Sequence, residues 1–535
     1  MKNLVESLDV ACEKWRGIVG EEHVVLDRGE LELASTATYP TEGSVTAILR
    51  PADTEQVSAC MEVAQKHDVK IYPVSTGKNW GYGSRVPPKG QAAILDLGRM
   101  NQILDYDHEM GTVTVQPGVT FRQLEALLED NGRKFFMSAP GTTPDASVIG
   151  NALERGWGFG PYSDRFDFMC GMQVVLPDGL VVETGMERFP GAQSAKYFRW
   201  GVGPWFDGMF TQSNLGIVTR MTVFLAPLPT DFVSFVYRFD DIEKMAPVVD
   251  VLRDLKLKGI LRTNFKLQNF YRQLMAKGQF PYDETGGSWT LSPELEAEKR
   301  KLYGVGKWNG AGALYCWSRA QAKAEIDLVR ACLEPHVDAL LFFDKELEEN
   351  AEARRDEILE KTGYDLKKCL KRYFHDTRFV GVDRGNKGMQ MAYWRKEDPA
   401  PDDPQLDRDK VGFIWVDPII PFRGKQVREA TDIISETQLK HGFEPNIGLN
   451  CTTERSIFTT GAIVYDREEP GRDEKALACA REAVDRLAAA GYILGRLTTD
   501  SMSLLQKAQE GSRQLQERVK LALDPNRVLA PGRYE

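Results

Sequence analysis

The chain has 535 residues, 42% apolar, 27% charged and 10% aromatic, with a formal net charge of −10. Its length exceeds one ordinary domain, its composition is that of a globular protein, and its acidity speaks against nucleic acid or an anionic membrane, both of which call for a basic face. Eight cysteines (12, 60, 170, 316, 332, 369, 451 and 479) lack CxxC spacing and six histidines are dispersed, so no zinc knuckle, disulfide framework or other metal site is expected, and a reducing cytoplasm is the expected compartment. No stretch approaches the roughly 20 apolar residues of a membrane span.

The opening MKNLVESLDVACEKW has acids where a signal peptide has its apolar core, and Leu4, Leu8, Ala11 and Trp15 follow helical spacing. It reads as part of the folded body. A strand over 45–49 leads through Pro51 to a helix, TEQVSACMEVAQKH, with Thr54 as cap and Val57, Met61 and Ala64 on one apolar face. Next comes PVSTGKNWGYGS at 73–84, where a strand marked by Ile71, Tyr72 and Val74 runs into a loop carrying Gly77, Gly81 and Gly83. Such glycines permit close backbone approach, and serial N–H groups with Ser75 and Thr76 suit an anion. On these residues alone an ordinary surface turn is an equal alternative, since neither GxxxxGK[ST] nor GxGxxG is present.

Strands near 93–97 and 112–115 follow, then the helix VTFRQLEALLEDNG, with Thr120 and Gln123 as a capping box and Gly132 as its stop. MCGMQVVLPDGLVVETG reads as a hairpin turning at Pro177-Asp178-Gly179. After LAPLP at 225–229 the pattern changes to aromatic strands (FVSFVYRF, GALYCW, ALLFF, GFIWVDPII) among charged helices, with a polar loop over 395–409. The chain closes with a helix stopped by Pro525 and an extended tail expected to return to the first domain.

Four stretches together, PVSTGKNWGYGS, SAPGTTPDASVIGNALERGWGFGPYSDRFDF (138–168), FDGMFTQSNLGIVTRM (206–221) and DPNRVLAPGR (524–533), resemble the vanillyl-alcohol oxidase and p-cresol methylhydroxylase family of flavoproteins, in particular its branch that oxidises 4-alkylphenols. The resemblance implies an α+β fold: a PCMH-type FAD-binding domain of two α/β parts, and a cap domain with a large antiparallel sheet. The corresponding ranges are 1–228 for the FAD domain, 229–490 for the cap and 491–535 for the return. It implies FAD held by Ser75, Thr76, Gly77, Lys78, Asn79, Gly81 and Gly83 of the first loop, by Pro140, Gly141, Ser147, Gly150 and Asn151, by Gly216, Ile217 and Val218, and by Arg533.

The implied chemistry is hydride removal from a benzylic carbon or alcohol of a para-substituted phenol, passing electrons to O2 or an acceptor protein. A phenolate clamp stabilises the developing charge, and its matches here are Tyr82 and Arg496. Four positions depart from the family, one being Arg165, which stands where relatives commonly have histidine. Gly495 replaces a second clamp tyrosine, which leaves either a roomier pocket or another recognition mode. Gly141 stands where relatives often have a carboxylate, and Lys410 aligns with the residue that attaches FAD covalently, so non-covalent FAD is expected. Glu454 and Arg455 fall in a segment that lines the pocket in relatives, with a structural ion pair as the plainer role. A homodimer is carried over from relatives. The rival readings are a same-fold oxidoreductase of non-phenolic hydroxy compounds and a non-catalytic electron-transfer subunit.

Overall fold

A computed structural model of the chain describes residues 2–138, 140–367, 377–382 and 387–535; Cys369 lies outside them. The first helix, Lys2–Val19, buries Ala11 and Trp15 completely, and the Trp15 indole donates to the Cys60 carbonyl at 3.1 Å, fastening it to helix Thr54–His67. That helix is capped by Asp53, whose side chain accepts from the Gln56 N–H, and not by the expected Thr54, which instead donates to Gln173. Either residue type can cap; Asp53 has the extended backbone that the position requires.

Both lie on a four-stranded sheet ordered Val24–Val25, Ser44–Leu49, Gln91–Asp96 and Ile71–Val74. The C-terminal tail returns here: Ile71 N–H donates to the Val528 carbonyl at 2.8 Å, and Ala530 N–H to the Ile71 carbonyl at 2.7 Å. Val528 and Leu529 are fully buried in its core. A second, five-stranded antiparallel sheet contains the hairpin Met169–Val175/Val181–Glu183, with Gly179 at φ +93° in its turn. Helix Phe121–Asp130 carries the expected capping box of Thr120 and Gln123.

Beyond residue 228 the aromatic strands assemble into one eight-stranded antiparallel sheet. Side chains alternate across it as strand geometry requires. Leu267, Ile414, Val416, Leu449 and Ile457 face a core closed by helices Met245–Leu257, Arg319–Leu333, Gly424–Lys440 and Arg472–Ala489. Their neighbours Lys266, Gln268, Phe413, Trp415, Asn450, Phe458 and Thr460 face the opposite way, into a cavity. The run GFIWVDPII is two strands, Val411–Val416 and Ile419–Pro421, interrupted at Asp417-Pro418 because proline cannot donate to the ladder. Among the described residues no helix is long and apolar enough to cross a membrane.

Candidate active site

The cavity encloses about 860 Å³ between the first loop and the front of the large sheet. At its loop end, Ser75, Thr76, Gly77, Lys78 and Asn79 leave strand Ile71–Val74 directly into the cavity wall. Ser147 ties a second wall to this loop: its N–H donates to Thr76 Oγ1 at 3.1 Å, while its hydroxyl oxygen accepts from Gly150 N–H at 2.9 Å. A Cβ at Gly150 would lie 2.6 Å from Ser75 Oγ, so glycine lets the two walls meet. Asn151 Oδ1 is buried there without a hydrogen-bond partner among the described residues. A buried acceptor left open beside a loop of backbone donors suits a large polar cofactor with its own donors and phosphates. The residues present therefore fit FAD.

Every expected cofactor residue lines this cavity except Gly81 and Gly83. Those two adopt φ of +80° and +114°, but their missing side chains make room for protein: a Cβ at Gly81 would sit 2.7 Å from the Trp415 indole nitrogen and 2.8 Å from Phe413 Cδ1, and one at Gly83 would overlap Thr499. They let the loop pack against the sheet.

Toward the sheet, Tyr82 is buried and its hydroxyl donates to the Asp417 carboxylate. Burial and then the neighbouring Asp417 charge push the Tyr82 hydroxyl well above the usual range for tyrosine. Burial also pushes Asp417 up to about 7, against the Tyr82 hydrogen bond and the charges of Arg496 and Arg272. The Arg496 guanidinium stacks 4.0 Å from the Tyr82 ring centroid. It is held in place by Glu154, 3.2 Å from Nε, and by a bond donated to Asn79 Oδ1. Glu154 also receives Arg533 at 2.7 Å and the Tyr534 hydroxyl at 2.9 Å. Burial alone would raise the Glu154 pKa, yet Arg533 and Arg496 draw it down to about 2. Arg496 thus serves both as an ion-pair partner and as a cavity wall.

Four expected positions lie elsewhere. Glu454 and Arg455 are exposed, 51% and 80% by side chain, and pair weakly with each other at 3.9 Å outside the cavity lining. They sit at a turn between sheet strands, where solvated charge costs nothing. Gly495 leaves no extra room: a Cβ there would lie 2.5 Å from Ile419 Cδ1 and 2.9 Å from Phe458 Cε2. Lys410 is exposed at φ +52°. Gly141 does line the cavity, and a Cβ there would meet only Trp157 Cη2 at 3.8 Å.

Sequence reading missed Asp417, Glu154 and Arg272. Asp417 had one local signal, an acid followed by proline inside an otherwise apolar run. Glu154 lies just past the end of helix Val148–Leu153 and Arg272 lies on the short helix Phe270–Met275, places where a charged residue is assigned to solvent by default.

A family model described as an FAD binding domain matches residues 45–185. The 1'-carboxy-chondrochloren decarboxylase of Chondromyces crocatus is 43% identical over 530 residues, covering 99% of this chain and 98% of that protein. The flavoprotein subunit of 4-cresol dehydrogenase (hydroxylating) from Pseudomonas putida is 28% identical over 98% of this chain and 94% of that one. A crystal structure of p-cresol methylhydroxylase with substrate bound superposes with a TM-score of 0.88 at 27% identity, covering 99% of this chain and 97% of the other.

Proposed function

Since the chain belongs to the vanillyl-alcohol oxidase and p-cresol methylhydroxylase family of FAD-dependent oxidoreductases, we propose that it removes hydride from the benzylic carbon of a para-substituted phenol. The observation that carries this reading is the buried line from Tyr82 to Asp417 beside the Arg496 guanidinium. FAD, when bound, supplies the hydride acceptor, and O2 or another acceptor takes the electrons onward.

The residues of the chain handle the proton. A substrate phenol donates to the Tyr82 oxygen, which in turn donates to Asp417. Because Tyr82 titrates far above Asp417, the proton comes to rest on Asp417 and Tyr82 remains a neutral donor. The substrate is then a phenolate beside the fixed charge of Arg496, and loss of hydride turns it into a quinone methide. Charge placed in advance in a water-poor site is worth more than the same charge in water. Phe159, Trp157, Phe413, Trp415 and Phe458 supply the apolar walls.

A second reading adds loss of CO2, favoured by the 43% identity to a protein named as a decarboxylase. Once hydride has left the carbon next to the ring, a carboxylate on the following carbon can depart as CO2. The electron pair of the broken C–C bond then forms the alkene, and the ring regains its aromaticity as phenolate. Anaerobic mixing of the holoprotein with 4-propylphenol and with carboxyl-labelled 3-(4-hydroxyphenyl)propanoate tests both readings. Bleaching of the flavin by either phenol supports hydride removal. Labelled CO2 in step with bleaching by the acid supports the second, and a flavin that no phenol reduces contradicts both.

The cofactor is proposed to be held without a covalent bond. Lys410 lies outside the cavity lining, that lining carries no histidine among the described residues, and of its tyrosines Tyr82 is committed to Asp417. Acid precipitation is expected to leave the yellow colour in the supernatant. Flavin that stays with the pellet would overturn this part of the reading.

A further inference from the structure

Among the described residues the cavity wall carries five cationic side chains, Lys78, Lys266, Arg272, Arg496 and Arg533, against one carboxylate, Glu154. Glu154 binds Arg496 and Arg533, and Lys78 lies in the anion-ready loop, donating to Gln405 at 2.6 Å. Arg272 and Lys266 share one strand-to-helix corner. Strand Lys266–Asn269 turns Lys266 and Gln268 into the cavity, and Asn269 caps helix Phe270–Met275 by accepting from the Arg272 N–H at 3.2 Å. The corner brings Arg272 to the same wall.

Arg272 is placed as a fork waiting for an anion. Its Nη1 donates to Asn446 Oδ1, a neutral amide, at 2.8 Å, and its guanidinium lies 5.7 Å from the Trp415 ring centroid. Trp415 in turn stacks on Tyr82 with centroids 6.3 Å apart, so the arginine and the phenol-binding tyrosine flank one indole. Among the described residues, Asp417 is the single carboxylate whose charge acts on Arg272, and the Tyr82 hydroxyl already occupies it. Burial lowers the Arg272 pKa to about 10, against the charge of Asp417. Lys266 adds a second positive charge, its ammonium 3.5 Å from the Phe159 ring centroid. A simple alkylphenol offers this corner nothing, whereas a carboxylate matches a guanidinium fork in shape and charge.

We propose that the substrate is a phenol whose para side chain ends in a carboxylate, that Arg272 grips this carboxylate, and that Lys266 adds to the local positive charge. The proposal rests on the reading of the cavity as a phenol-oxidising site, and it makes Arg272 the residue that selects acids over neutral alkylphenols.

Flavin-absorbance titration of the holoprotein with three ligands tests it: 4-hydroxycinnamate and its carboxamide, which have no saturated benzylic carbon to give up hydride, and 3-phenylpropanoate, which lacks the hydroxyl. The acid is expected to bind roughly 10- to 100-fold more tightly than the amide, the worth of a charge-assisted pair. In Arg272→Gln that ratio should fall to about one, and Arg272→Lys should recover part of it. Equal binding of acid and amide to the native protein would overturn the proposal, as would a ratio that survives in Arg272→Gln. Should Arg272→Gln fail to retain FAD, the native ratio and Arg272→Lys still decide. Because 3-phenylpropanoate reports carboxylate binding without a phenol, a preference for acids persisting while no phenol bleaches the flavin would sink the phenol reading and leave the carboxylate site standing.

Discussion

Asp417→Asn is expected to slow flavin reduction by a para-alkylphenol by roughly 10²- to 10⁴-fold at about pH 8, the usual contribution of a positioned proton acceptor. The replacement keeps size and shape but removes the capacity to take a proton. The native rate should rise with pH through about 7, where burial has placed the Asp417 carboxyl. The sign follows from the protonation states: below that value Asp417 already holds a proton and cannot receive the substrate's, and above it the carboxylate is free to do so. In the variant this step should vanish, leaving a rate that climbs only toward the intrinsic ionisation of a phenol near 10. Asp417 acts through Tyr82, so a purely structural role would lower the rate at every pH and leave the midpoint near 7 in place. A pH series of stopped-flow reduction rates separates the two.

Much of the FAD half could be read from the sequence because its signals are local. The capping box at Thr120 and Gln123 is complete within four residues, and the Pro177-Asp178-Gly179 turn needs only the φ freedom of Gly179. The anion-ready loop at 75–79 likewise rests on a strand entry and small residues. The sheet half was less legible because its site is assembled from distant pieces. Asp417 meets Tyr82 across 335 residues of chain, and Arg496 meets Glu154 across 342. Neither pairing leaves a spacing pattern.

Departures from the family pattern also changed meaning once packing was visible. Gly495 suggested either a roomier pocket or another mode of recognition, but Ile419 and Phe458 already fill the space a side chain would need. Gly81 reads in sequence as a cofactor contact, while its missing Cβ accommodates the Trp415 indole. In both cases the glycine is a statement about the protein's own packing across the two halves. Glu454 and Arg455 show the converse: alignment with a pocket segment does not bring a side chain to the pocket when the local turn points it at water.

The phenolate clamp is tested most directly by Tyr82→Phe, which removes one hydroxyl and almost no volume. Reduction of the bound flavin by a para-alkylphenol is expected to slow by roughly ten- to thousandfold, as for loss of one preorganised hydrogen-bonding group. Arg496→Lys should be nearly as harmful, because a point ammonium cannot keep both the Glu154 and Asn79 bonds of a planar fork. The decisive comparison pairs each phenol with its O-methyl ether in anaerobic stopped-flow, using native protein and both variants. The ether has no proton for Tyr82 to accept and cannot become a phenolate, so it should be a poor reductant of the native protein and nearly indifferent to either substitution. Losses of equal size on phenol and ether would contradict the clamp and favour a same-fold oxidoreductase of non-phenolic hydroxy compounds.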